Sequence, residues 1–100
     1  MIVARQVFQA KYGRGDELVA LFKEFNERMR REESGFSGFR ILTDASGPFF
    51  TVVTEVEVAS FADWEGKFGE SMSKPWMEEW FRKMVELVDS GSREFFHVAE

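Results

Sequence analysis

The chain has no cysteine, two prolines, one histidine and one tyrosine in 100 residues. Without thiols there is no disulfide framework, no thiol nucleophile and no cysteine-ligated metal. A single histidine, with no carboxylates at a recognisable ligand spacing, gives no metal signature, and none is expected. No apolar run approaches the length that crosses a bilayer, and the opening residues Met1 to Gln6 are too short and polar for a secretory leader. A cytoplasmic protein that does not enter the membrane is therefore expected. A basic stripe is also missing: 13 Lys and Arg against 18 Asp and Glu leave a net charge of −5. The one concentration of arginine (Arg28, Arg30, Arg31) is interleaved with Glu27, Glu32 and Glu33. Neutralising phosphates takes clustered positive charge, so nucleic acid is not an expected partner. Gly13-x-Gly15 lacks the rest of a nucleotide-binding signature, and Asp16 and Glu17 after it repel an anion. No cofactor site is expected.

Aromatic residues are abundant: twelve Phe, three Trp and one Tyr make 16% of the chain. Rings bury large areas each, so a small domain rich in them either packs its core with them or lines a cavity. The hydrophobic periods come in a definite order along a length that predicts one compact domain, residues 1–100. Residues 2 to 11 alternate as a strand, and Tyr12-Gly13-Arg14-Gly15 turns the chain. Asp16 is the expected N-cap of a helix whose stripe is Leu18, Leu21, Phe22, Phe25 and Met29, ending at Ser34-Gly35. Strands follow over Phe39 to Asp44 and Phe49 to Val58, joined by Asp44-Ala45-Ser46-Gly47-Pro48 as a hairpin. Ser60 and Asp63 read as a capping box opening a short helix that carries Phe61, Trp64 and Phe68. Gly66 and Gly69 weaken it, so a loop is expected from Glu70 to Lys74. Pro75 suits the first turn of a further helix that stops at Ser90-Gly91, and the last strand is Arg93 to Ala99. The order is β-α-β-β-α-β with a split second helix, an α+β, ferredoxin-like arrangement of a four-stranded antiparallel sheet with helices on one side.

The strand residues sort into two sets. Phe8, Ile41, Val52, Val56, Val58, Phe96 and Val98 suit burial under the helices. The opposite set is Val3, Arg5, Val7, Gln9, Arg40, Leu42, Thr51, Val53, Glu55, Phe95 and His97, too apolar for full exposure and too charged for a dry core. A second copy of the chain is the simplest cover for such a face. Burial there is worth about 25 cal/mol per Å² before association costs. A two-fold homodimer is expected, with Arg5 or Arg40 paired to Glu55 within or across subunits.

Three short segments carry a resemblance: Tyr12-Gly13-Arg14-Gly15-Asp16-Glu17-Leu18, Ser60-Phe61-Ala62-Asp63-Trp64, and Val88-Asp89-Ser90-Gly91-Ser92-Arg93-Glu94. With the element order, they make the chain resemble the dimeric α+β barrel superfamily, in particular its antibiotic-biosynthesis-monooxygenase and NIPSNAP-like branches. The resemblance implies two sheets closed face to face and a ligand site between sheet and helices. It also implies a range of activities that includes cofactor-independent monooxygenation. The haem-degrading branch uses a first-strand Asn, a Trp on the short helix and a His on the next helix. Trp64 matches the second and Gln6 approximates the first, but Lys74 to Val88 contains no histidine, which disfavours haem degradation.

The candidate site residues are Gln6, Tyr12, Trp64 and His97. Gln6 is a polar amide on the apolar side of the first strand, and burial obliges it to find a partner in backbone, water or ligand. Trp64 and Trp80, with Phe22, Phe25 and Phe68, form either an aromatic-walled pocket or plain core. Trp76 caps the pocket mouth or meets the partner subunit. Tyr12 donates from the mouth of the sheet or covers the strand end. His97 is the only imidazole available as a general base, a role that suits its residue type. Two readings stand open: an enzyme of the monooxygenase type acting on a small aromatic or hydrophobic molecule, and a non-catalytic dimeric ligand-binding or assembly module.

Overall fold

The computed structural model describes all residues except 33–35, 37 and 100. The elements are β1 (Ile2–Ala10), α1 (Gly15–Arg31), β2 (Arg40–Thr43), β3 (Thr51–Val58), α2 (Phe61–Met72), α3 (Met77–Leu87) and β4 (Val88–His97). They form one antiparallel sheet in the order β2-β3-β1-β4, so the first and third strands are central and the hairpin partner and last strand are edges. The expected α+β architecture, split second helix included, is the observed one. Among the described residues no helix is long and apolar enough to cross a membrane.

One side of the sheet carries the core. Leu18, Leu21, Phe22, Phe25 and Met29 of α1 meet Val52, Met77, Trp80 and Leu87 in a buried cluster, with Phe8, Ile41 and Val56 packed against it. Rings make the contacts: Phe22 lies 5.1 Å from Phe8 and 5.8 Å from Trp80, and Phe25 stacks on Phe39 at 5.2 Å. Two side chains tie the layers together. The Trp80 indole donates to the Leu21 carbonyl at 2.9 Å. The Asn26 amide both donates to the Phe39 carbonyl and accepts from the Phe39 N–H. Gly38, with φ +104, is required there, since a Cβ would stand 2.8 Å from the Asn26 Oδ1.

Several boundaries differ from expectation. The helix α1 begins at Gly15, with Arg14 at the N-cap and no side-chain cap, so Asp16 lies in its first turn. Buried Gly15 sits against the Phe50 ring, where a Cβ would come within 3.1 Å, and this close approach starts the helix early. The expected stop at Ser34-Gly35 lies outside the described residues. The strand β3 starts at Thr51 because Phe50 turns the chain with φ 62. Helix α2 runs on through Met72 rather than becoming a loop at Glu70. Its glycines face open space, where each costs about 1 kcal/mol relative to alanine, and the Ser60 cap and the Trp64 and Phe68 contacts offset that. Pro75 lies in the turn before α3, not in its first turn.

The largest correction concerns β4. It begins at Val88, directly after Leu87, and ends at His97. Gly91 is not a stop but a gap under the Phe8 ring, where a Cβ would approach to 3.2 Å. The register pairs Phe8 with Gly91, Gln6 with Arg93, Ala4 with Phe95 and Ile2 with His97. Directly opposed residues share a face, so Arg93, Phe95 and His97 point to the helices and Phe96 points away. The expected assignment of Phe95, His97 and Phe96 was thus reversed, and Val98 lies beyond the strand.

The uncovered side carries a row of alternating charge. Arg40, Glu55, Arg5 and Glu94 are successive cross-strand neighbours over all four strands. Glu55 pairs with both Arg40 and Arg5, as expected within one subunit. Among the described residues the buried Arg5 Nε has no hydrogen-bond partner.

Candidate functional site

One residue along from that row, on the covered side, the same strands place Ile41, Thr54, Gln6 and Arg93 side by side. Three of the four, Thr54, Gln6 and Arg93, cross the floor of a cavity of about 250 Å³ between the sheet and the helices. Ala4, Val56 and Val58 complete the floor, Phe22, Phe25 and Phe39 close one end, and Trp64, Phe68, Trp80, Phe81 and Met84 wall the rest. The sheet supplies small residues at Ala4 and Thr54, and α2 and α3 supply large flat ones, so the layers cannot close completely.

Each wall is held from behind. The Ser60 hydroxyl accepts from the Asp63 N–H, and the Asp63 carboxylate accepts from the Ala59 N–H, which fixes the start of α2. Hydrogen bonding from the Ala59 N–H, and then from the Lys67 ammonium, holds the Asp63 carboxyl below the usual carboxylate range. Trp64 and Phe68, four residues apart, stack at 4.9 Å. Phe61 and Trp64 both meet the Phe95 ring edge-on at 5.1 Å, so the observed facing of β4 is what seats this helix. The α3 wall is anchored through Trp76. Its indole donates to Glu32 at 2.8 Å, and that bond, followed by the bond from Lys74, lowers the Glu32 pKa.

The polar groups that reach the cavity are few. The Thr54 hydroxyl, on a buried residue, donates to the Gln6 Oε1 at 3.4 Å, a long bond. Among the described residues the Gln6 Nε2 donors have no partner. Ser71 Oγ turns back to the Phe68 carbonyl at 2.8 Å. The Lys67 ammonium lies 3.3 Å from Asp63. The Arg93 guanidinium lies over the Trp64 ring at 4.7 Å and the Phe68 ring at 5.5 Å. Among the described residues no carboxylate and no imidazole lines the cavity.

Of the four residues expected at a site, the structure brings Gln6 and Trp64 to the cavity and leaves Tyr12 and His97 elsewhere. Tyr12 is 82% exposed and meets Phe50 edge-on beyond the end of β1. His97 is exposed opposite Ile2, away from Arg5, Arg40 and Glu55. Trp76 bridges α1 and α3 and does not line the cavity. Thr54, Lys67 and Arg93 were not anticipated. Arg93 was legible only through the register, because a shift of one residue sends it to the opposite face.

A family model described as antibiotic biosynthesis monooxygenase matches residues 1–65. No curated protein matches the sequence. Several solved structures share the fold. An uncharacterised NIPSNAP domain protein from Burkholderia xenovorans aligns with a TM-score of 0.81 at 14% identity, over 99% of this chain and 95% of that one. A NIPSNAP family protein from Agrobacterium tumefaciens str. C58 aligns with a TM-score of 0.84 at 16% identity, over 99% and 93%. An antibiotic biosynthesis monooxygenase aligns with a TM-score of 0.72 at 14% identity, over 100% of both chains. At these identities the likeness is one of fold.

Proposed function

Because the chain belongs to the antibiotic biosynthesis monooxygenase family, we propose that it binds a small, flat, largely apolar molecule between the sheet and α2–α3, where the bound molecule reacts with dioxygen. The observation that carries this reading is the cavity, open under two aromatic helices and floored by the half-buried Gln6 amide, whose N–H groups have no partner among the described residues. Trp64 and Phe68 supply a stacking wall, and Gln6 orients a carbonyl or hydroxyl of the ligand. With no carboxylate or imidazole at hand, the acidity has to lie in the substrate. A methylene flanked by a conjugated carbonyl loses a proton to water. The enolate carbon passes its electrons to dioxygen, a C–O bond forms, and the O–O bond breaks as water leaves. The balance is CH2 + O2 → C=O + H2O, with every electron drawn from the substrate. Tyr12 and His97 take no part in this reading.

Oxygen uptake with anthrone as substrate tests it. The protein is expected to accelerate uptake over buffer, and Trp64→Ala and Gln6→Leu to reduce the acceleration about tenfold or more. No acceleration would sink the reaction. Quenching of tryptophan fluorescence by anthrone without oxygen uptake would instead establish a non-catalytic ligand-binding module, the reading that the missing base favours.

The same proposal gives the open face to a second copy of the chain. The order +, −, +, − across the sheet reverses into its complement, so a two-fold axis running between β3 and β1 sets opposite charges against each other. Half-buried Val3, Val7 and Leu42 flank the row and supply the apolar part of the contact. Sedimentation velocity is expected to give a dimer; a folded monomer at micromolar concentration would contradict it.

A further inference from the structure

We infer that the cavity selects its ligand as an anion, a flat ring bearing a carboxylate or an ionised hydroxyl, with Arg93 as the selecting residue. The inference rests on the reading of the cavity as a ligand site and concerns which ligands it takes.

Three neighbouring strand positions bring polar groups to the floor, and two of them, Arg93 and Gln6, present free donors among the described residues. Arg93 is the direct cross-strand partner of Gln6, and Gln6 of Thr54. A guanidinium, a primary amide with both N–H groups unused and a hydroxyl therefore stand in one line. An anionic oxygen accepts from the guanidinium and the amide, while the Thr54 hydroxyl, given to the Gln6 Oε1, orients that amide; a neutral apolar ring uses none of these donors.

The charge around the line has one sign. The chain is acidic overall, and most of its basic side chains reach a carboxylate, as Arg14 reaches Glu17, Arg28 reaches Glu24 and Lys74 reaches Glu32. Arg93 is different. Among the described residues it has no ion pair and no hydrogen bond, and its guanidinium rests on the faces of Trp64 and Phe68. Lys67 adds a second cation at the wall, an ammonium shared with Asp63. A cation held flat on the stacking wall, in a cavity lined by no carboxylate, attracts anions and rejects cations. The volume of about 250 Å³ suits a ring system of two or three fused rings with small substituents.

Selection of the anion also serves the proposed reaction. A site without a base gains by collecting the substrate already ionised, and where the ionised group is a ring hydroxyl or enolate oxygen the guanidinium holds the charge that dioxygen draws on.

The test is a matched pair of nearly equal shape, naphthoate and naphthamide, titrated at neutral pH by calorimetry, with ionised nitronaphthol as a third ligand. The wild-type chain is expected to bind naphthoate about tenfold tighter than naphthamide. In Arg93→Met and Arg93→Gln, naphthoate affinity should fall to that of naphthamide while naphthamide is unchanged. Arg93→Lys should keep part of the preference. High salt should weaken naphthoate and ionised nitronaphthol and leave naphthamide unchanged. Tighter binding of nitronaphthol than of naphthoate would assign the preference to ring hydroxyls; the reverse would assign it to carboxylates. Equal affinity of naphthoate and naphthamide for the wild-type chain would overturn the inference and leave the cavity reading standing. So would an equal loss of both in the Arg93 variants. Binding of none of the three would remove both together.

Discussion

The two sides of the sheet are built from alternate residues of the same four strands, and they solve opposite problems. On the open side Arg40, Glu55, Arg5 and Glu94 alternate in sign and nearly neutralise one another. One residue along, on the covered side, Ile41, Thr54, Gln6 and Arg93 hold a single cation and no carboxylate, beneath aromatic helices. A balanced row suits a surface that must meet its own copy. An unbalanced row beside empty volume suits a small partner of opposite charge. A period of two lets one strand serve both purposes, because a substitution on one side leaves the other side's chemistry in place.

Breaking the covered side should have the largest effect. Phe22 is buried among Phe8, Phe39 and Trp80, and Phe22→Ala is expected to cost about 3–5 kcal/mol, read from the urea midpoint. The open side should break differently. Glu55→Lys places a third cation beside Arg5 and Arg40, and the dimer should weaken about tenfold to a hundredfold by sedimentation. Circular dichroism of that variant should remain folded. A variant as dimeric as the wild-type chain would assign the row to the monomer alone.

Gln6→Leu sharpens the contrast, since it removes a polar group from the covered side without opening a void. Stability should stay nearly level, because the loss of an incompletely satisfied amide is offset by the buried Thr54 hydroxyl losing its acceptor. Ligand binding should weaken in the same variant. A fall in stability would make Gln6 a structural residue.

Acid gives the smallest effect. The Asp63 and Glu32 carboxyls both lie lower in the folded chain than in the unfolded one, so their contribution is present above the unfolded pKa and lost as pH falls through the folded values. Thermal midpoints should therefore decline below the usual carboxylate range. The double variant Asp63→Asn, Glu32→Gln should decline less steeply, while the wild-type profile above that range stays flat for these groups.

Much of the fold was legible because its signals are local. The α1 stripe from Leu18 to Met29, the Ser60 cap and the alternation of β1 and β3 each specify an element and its buried side without knowledge of the rest. The cavity was half legible: Gln6 stood out as an amide among apolar neighbours, and Trp64 as a ring on a short helix. The edge strand was not. Phe95 and Phe96 are adjacent rings on opposite faces, and His97 and Val98 continue the ambiguity, so alternation alone cannot choose. The choice is made by Gly91 under Phe8 and by the register shift between Gln9 and Ala10, both tertiary facts. Arg93 followed that choice, and with it the charge of the cavity.

The most direct test is a magnetic resonance titration of the nitrogen-labelled chain with naphthoate, following the Gln6 side-chain amide, the Trp64 indole N–H and the backbone amides of both faces. Saturable shifts at Gln6, Trp64, Thr54 and Arg93, with Phe96 and Leu42 still, are the predicted result. Shifts centred on Arg5, Glu55 and Leu42, or none at Gln6 and Trp64, would contradict it.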